Sequence, residues 1–312
     1  MKFSNAISGE IVAFVLIISG LFTMTILQAV ILGCVQGITA FIPVSSTGHV
    51  ILLSNLFGIE DSLDLSFLII LHLGTLIAIL SIYYRDIVRV FLELFRIFIE
   101  LIRNLSSWIR KRSQPDSFTY KKVLTTQFSK FVTLLFISLI PTCIVAVLIR
   151  PMAKMISMNL LASAMGLFIT ALLLFVASFS PEGDKGPKDA KLIDAVLIGA
   201  FQGFAGFPGM SRLGLSTSAG FISGFTRKLV LKYTYLLAVP TILIAILADL
   251  PAMAVSVSTA GFASCIAALA ASTITGFFAL RFTRKLIRVN KSRGFSIYCI
   301  LIGVVSIIVY LV

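Results

Sequence analysis

Two stretches decide the fold: Ala29–Gly48, AVILGCVQGITAFIPVSSTG, and Ala195–Gly214, AVLIGAFQGFAGFPGMSRLG. Offset by 166 residues without a gap, they agree at eight of twenty positions. The same offset lays Leu71 on Leu237 and Thr75 on Thr241. The apolar regions that contain them, Ile11–Ile59 and Ala195–Ser211 with its continuation to Phe225, are broken near their middles by Gly, Pro and Ser rather than by charged loops, which is the pattern of re-entrant helical hairpins. The chain therefore reads as one unit repeated, about 24–190 and then 191–312.

Between and after these stretches lie six long apolar runs: Leu65–Tyr84, Phe131–Ile149, Met155–Ser180, Tyr233–Ala248, Leu250–Leu280 and Gly294–Val312. A helix needs roughly 20 such residues to cross the hydrocarbon. Only 12% of the 312 residues are charged and the mean hydropathy is +1.06, against about 25% charged in a soluble domain. The expected architecture is an all-α integral membrane protein of six transmembrane helices plus two re-entrant hairpins. Three spans follow each hairpin, so the second copy is inverted relative to the first. Inverted repeats place polar sites near the midplane, where broken helices expose backbone N–H groups.

The net charge of +13 lies between spans, with ten Lys/Arg in residues 85–130, six in 281–293 and three in 226–232. The positive-inside rule makes these segments cytoplasmic, and the placement argues against a nucleic-acid partner. Phe91, Leu94, Phe95, Phe98, Leu101 and Ile102 share one helical face, which predicts an interfacial amphipathic helix that orients and anchors the chain among membrane lipids. The cysteines, Cys34, Cys143, Cys265 and Cys299, stand singly without a CxxC pair and read as packing residues. Residues 1–23 read as an N-terminal extension or a start-site artefact ahead of a single membrane domain, 24–312.

The hairpin tips carry the chemistry. The first holds Gln36, Pro43, Ser45, Ser46, Thr47 and His49; the second holds Gln202, Pro208, Gly209, Ser211, Arg212 and Ser216. Ser or Thr at a helix start, with free N–H groups behind it, suits phosphate or carboxylate. The adjacent Pro and Gly break the hairpin and let backbone approach a ligand. An arginine in mid-membrane costs roughly 2.5–3.5 kcal/mol on insertion scales. No acid lies in either tip, so an anionic ligand is the natural partner of Arg212, with backbone carbonyls, Asp194 or Asp249 as the alternatives. His49 follows Ser45 by four residues and Ser46 by three, so its ring is expected beside one or both hydroxyls as base to a nucleophile. His72, on an apolar span, reads as a satisfied core residue. Gln36 and Gln202 either bind the ligand or bridge the hairpins.

From about Met24 onward the chain resembles the undecaprenyl-diphosphate phosphatase family of bacitracin-resistance proteins. Pro43-Val-Ser-Ser-Thr-Gly-His49 and Pro208-Gly-Met-Ser-Arg212 are similar to that family's two signatures, and Leu71-His-Leu-Gly-Thr75 and Leu237-Ala-Val-Pro240 to flanking segments. The resemblance implies a phosphatase of the cell membrane whose cavity opens to the extracytoplasmic side. It would take the terminal phosphate from a polyprenyl diphosphate so that the lipid carrier returns to cell-envelope glycan synthesis. It also implies Ser46 as nucleophile, His49 as acid/base, Ser211 and Arg212 as phosphate clamp, and Mg2+ or Ca2+ as cofactor; a homodimer stays open. Where the family has Glu or Gln followed four residues on by Glu, this chain has Gln36 and Ala40. Leu213 and Ser216 stand where Ser and Thr are common. The missing carboxylate bears on activity, metal use and mechanism, and a lipid-phosphate transporter or flippase is the alternative reading.

Overall fold

The computed structural model describes residues 24–60, 63–111, 121–255, 261–286 and 292–312; the extension expected at 1–23 lies outside them. The described residues form ten α-helices: α1 Ile26–Thr39, α2 Ser46–Leu56, α3 Leu65–Lys111, α4 Gln127–Met155, α5 Leu160–Ala177, α6 Leu192–Gly203, α7 Arg212–Ile222, α8 Arg227–Val255, α9 Phe262–Leu286 and α10 Ser292–Leu311. No strand occurs among them. Six helices, α3, α4, α5, α8, α9 and α10, are long and apolar enough to cross a membrane. The chain is a multi-pass membrane protein by that measure.

Three boundaries differ from the sequence reading, each for a physical reason. The fourth span does not stop at Ala248, because α8 runs through Asp249 and Pro251 to Val255. Arg150 Nη2 lies 2.5 Å from Asp249 Oδ1 and Lys154 Nζ 3.5 Å away, so cations on α4 neutralise the charge that had looked like a boundary. The fifth span accordingly begins at Phe262 rather than Leu250. Likewise α4 reaches Met155, where the third span had been expected to start, and carries Pro141 and Pro151 within it. Membrane helices accept proline when neighbouring groups satisfy the freed carbonyls.

The amphipathic stretch is not a separate helix. It continues the first span as one 47-residue helix, about 70 Å at 1.5 Å per residue, over twice the ~30 Å of hydrocarbon. Phe91, Phe95 and Phe98 stay exposed on it. On its other side, Arg96 bonds Glu93, the Val123 carbonyl and Ser129 Oγ, which ties this extension to the start of α4.

Small residues let the short helices seat deeply against the long ones. A Cβ on Gly33 or Gly37 would come within 2.5 Å of the Ala268 carbonyl and 2.1 Å of Thr275 Oγ1 on α9. The equivalent glycines of the second stretch, Gly199 and Gly203, would meet the Ser138 and Thr142 carbonyls of α4 at 2.2 and 2.8 Å. The glycines shared between the two stretches are thus small-xxx-small contact faces, which drive helix association in lipid. Hydroxyls bridge the same seams: Thr142 Oγ1 donates to the Gly199 carbonyl at 2.8 Å and Thr275 Oγ1 to that of Cys34 at 3.3 Å. The pairing largely exchanges, α1 against α9 and α6 against α4, α2 against α10 and α7 against α5, while α3 packs on α8, α5 on α10 and α2 also on α5.

Candidate active site

Both tips end in a serine-capped helix start. Ser45 caps α2, its Oγ accepting from Gly48 N at 3.2 Å, with φ at +66°. That left-handed conformation is uncommon for a serine and is the kind of backbone tension found at binding sites. Ser211 caps α7, accepting from Gly214 N at 3.0 Å. The first residues of the two helices are Ser46 and Arg212. They hold equivalent positions in the repeat, and both line one cavity.

That cavity lies between α1, α2, α3, α7 and α8. Its polar wall comprises Gln36, Thr39, Ser46, Thr47, His72, Thr75, Ser211, Arg212, Thr234 and Tyr235, with Ala40 and Ala238 among the smaller residues. Among the described residues the Arg212 guanidinium has no ion pair and no hydrogen bond. The alternative partners are engaged elsewhere, Asp194 with Lys185 and Asp249 with Arg150 and Lys154. Gln36 is 1% exposed and neither atom of its amide has a hydrogen-bond partner, a state that ordinarily costs about 1–3 kcal/mol per group. A half-buried cation, an unpartnered amide and the hydroxyls of Ser46, Thr47 and Thr234, which have no hydrogen bond among the described residues, therefore converge on one space, as an anion site requires.

The remaining residues singled out in the sequence support this wall from behind. Gln202 Nε2 donates to Thr241 Oγ1 and its Oε1 accepts from Ser216, each at 3.1 Å, so this amide holds its own hairpin to α8 and does not bridge to the other. The same Ser216 Oγ is also within reach of the Arg212 carbonyl, so its single proton is shared between the two acceptors. Gly209, at φ +76°, presses on α5, where a Cβ would come within 1.9 Å of the Ser163 carbonyl. His49 is buried and is not on the cavity wall. Its Nδ1 faces the Ser45 carbonyl at 2.6 Å, and its Nε2 lies 2.9 Å from Tyr298 Oη on α10, whose ring stacks on the imidazole with centroids 5.6 Å apart. No hydrogen bond joins it to Ser46.

His72 differs from its expected place in the core: it is half-buried and on the cavity wall. Its position could not be read from α3 alone, because the wall it faces is built by α7 and α8. Tyr298 was missed for the same reason, being 249 residues from the histidine it holds.

The donors on the wall do not fit a resident Mg2+ or Ca2+. Such hard cations take carboxylate and carbonyl oxygens, whereas this wall has a guanidinium and no Asp or Glu. No cluster of three His, Cys, Asp or Glu side chains suited to a metal occurs among the described residues.

Comparison with known proteins finds relatives along most of the chain. Residues 29–305 match the family described as bacitracin resistance protein BacA. The chain is 31% identical to a protein named undecaprenyl-diphosphatase from Methanosphaera stadtmanae, over 93% of this chain and 99% of that one. It is 30% identical to a protein of the same name from Alkaliphilus metalliredigens, over 91% and 98%. With both helix starts inside the matched region, this chain belongs to the bacitracin resistance protein BacA family.

Proposed function

We propose that this chain is a polyprenyl-diphosphate phosphatase, releasing the terminal phosphate of an undecaprenyl-type diphosphate and so recycling a lipid carrier for envelope glycan synthesis. One observation carries the reading: Ser46 and Arg212, each the first residue of a helix, line the same cavity, and the guanidinium has no acidic partner among the described residues. The relatives' shared name points to the same chemistry.

In this reading the diphosphate lies between the starts of α2 and α7, whose N–H groups and positive dipole ends favour it. Arg212 grips the terminal phosphate through its planar fork and Gln36 donates its unpartnered amide. Ser46 Oγ attacks the terminal phosphorus, and the bridging oxygen leaves with the lipid. Beside the cavity, α8 also lines an apolar groove with Leu236, Val239 and Pro240, closed by Val90 and Leu94 of α3 and Leu135 of α4. That groove suits the prenyl chain. The two short-helix pairs are re-entrant hairpins of inverted repeats, as the exchanged pairing of α1 with α9 and α6 with α4 supports. The basic segments face the cytoplasm and the cavity opens on the extracytoplasmic side of the cell membrane.

Phosphate release from farnesyl and undecaprenyl diphosphate by purified protein in detergent tests the reading. Ser46→Ala and Arg212→Ala are each expected to lower the rate by about 10²–10³. The missing carboxylate on the wall is what favours a second reading, carriage of a lipid phosphate without hydrolysis. Saturable diphosphate binding by the unmodified chain with no phosphate release would select it.

A further inference from the structure

Attack by a serine hydroxyl needs a group to take its proton, and the cavity wall narrows the choice. Threonine, serine and glutamine side chains do not take up a proton near neutral pH, and Arg212 stays charged. Tyr235 donates its hydroxyl to the Phe41 carbonyl at 3.1 Å. His49 has both ring nitrogens engaged, one with the Ser45 carbonyl and the other with Tyr298.

His72 is arranged differently. Its Nδ1 lies 2.8 Å from the Leu68 carbonyl one turn back on α3. A carbonyl only accepts, so Nδ1 carries the hydrogen, and the neutral ring is fixed with the lone pair on Nε2. Nε2 has no partner among the described residues, and the ring lines the cavity that holds Ser46, Ser211 and Arg212. A tautomer fixed by one hydrogen bond, with the other nitrogen free on a ring that lines the cavity, is the arrangement a general base needs.

We propose that His72 is the proton-handling catalytic residue of this cavity, an assignment that rests on the phosphatase reading and supplies the base that Ala40 does not. As Ser46 Oγ bonds to the terminal phosphorus, its proton passes to His72 Nε2 and the bond from that phosphorus to the bridging oxygen breaks. His72 then gives this proton to the departing bridging oxygen, which leaves as polyprenyl monophosphate. In the second half, water attacks the phosphoserine phosphorus. His72 takes a proton from the water and returns it to Ser46 Oγ as inorganic phosphate leaves. One water is consumed and the imidazole ends neutral.

The test compares His72→Ala, His72→Asn and His49→Ala with the unmodified chain, measuring phosphate release from farnesyl diphosphate with and without added imidazole. Asn keeps an N–H for the Leu68 carbonyl but offers no basic nitrogen. Both His72 variants are expected to lose about 10²–10⁴-fold in kcat, with KM held. Imidazole restores His72→Ala and leaves His49→Ala unrestored. Unchanged kcat in the His72 variants overturns this assignment alone, as does a loss that imidazole fails to restore. An unmodified chain that releases no phosphate overturns the phosphatase reading and the assignment with it.

Discussion

Replacing Gly209 by alanine tests whether the second tip is positioned by its contact with α5. Two effects combine at this residue. Its φ of +76° is a conformation that L side chains rarely adopt, at roughly 1–2 kcal/mol. The new methyl would also lie 1.9 Å from the Ser163 carbonyl, and overpacking of that kind adds about 1–3 kcal/mol. The total is about 2–5 kcal/mol, relieved only by moving the tip. The neighbouring contacts would move with it, since Ser211 N donates to Thr170 Oγ1 at 3.0 Å and Gly166 admits the Pro208 carbonyl. Arg212 follows directly, and a shift near 1 Å at a reacting site costs on the order of 10²-fold in rate. Gly58 supplies the control, with φ +62° and nothing within 4 Å of its Cβ. Gly58→Ala should show only the conformational cost of about 1–2 kcal/mol, with phosphate release unchanged. The assay pairs detergent-phase thermal unfolding with phosphate release. Equal loss of midpoint in the two variants, with full activity in Gly209→Ala, would refute the claim that α5 sets the tip.

Two further outcomes follow from the wall and its supports. Ala40→Glu places a carboxylate on the cavity wall, so its phosphate release should gain an EDTA-sensitive component, while chelation leaves the unmodified chain's rate unchanged. Tyr233→Phe removes the hydroxyl that donates to Ser138 Oγ at 2.6 Å, where Ser138 in turn holds the Ala195 carbonyl at the start of α6. It should lower unfolding stability by about 0.5–1.5 kcal/mol and leave turnover unaltered, because Tyr233 is off the cavity wall.

The number of spans was legible because lipid leaves few options: each crossing must be long, apolar and internally hydrogen-bonded. Their ends were less legible. Asp249 looks like a boundary in one dimension, and only the approach of Arg150 and Lys154 from α4 makes it compatible with a continuing helix. Ser46 and Arg212 stood out because a hydroxyl at a helix start and a cation in an apolar run each demand a partner wherever they are met. The histidines carry no such demand. Helical spacing put His49 near Ser45 and Ser46, yet Tyr298 on the last helix engages its outward nitrogen. His72 has the same apolar flanks as a core histidine, and only α8, packed on α3, and α7, packed on α8, open a cavity beside it.

Laying one repeat on the other shows where the chemistry has separated. Ser45 and Ser211 occupy equivalent positions and both cap helices, so the serine-capped helix start is duplicated. The side chains that follow diverge. Ser46 answers to Arg212, so one start offers a hydroxyl and the other a charge. Gln36 answers to Gln202, but the first amide is unpartnered on the wall and the second is bonded to Thr241 and Ser216. His72 answers to Ala238, and both line the cavity. A cavity that kept both halves alike would face two serines or two arginines across the same phosphate. The first can attack but cannot stabilise the charge, and the second can bind but cannot react. Under the proposed phosphatase reading, divergence at these three pairs turns a symmetric anion cradle into a directional one, with attack arising from the first repeat and charge supplied by the second.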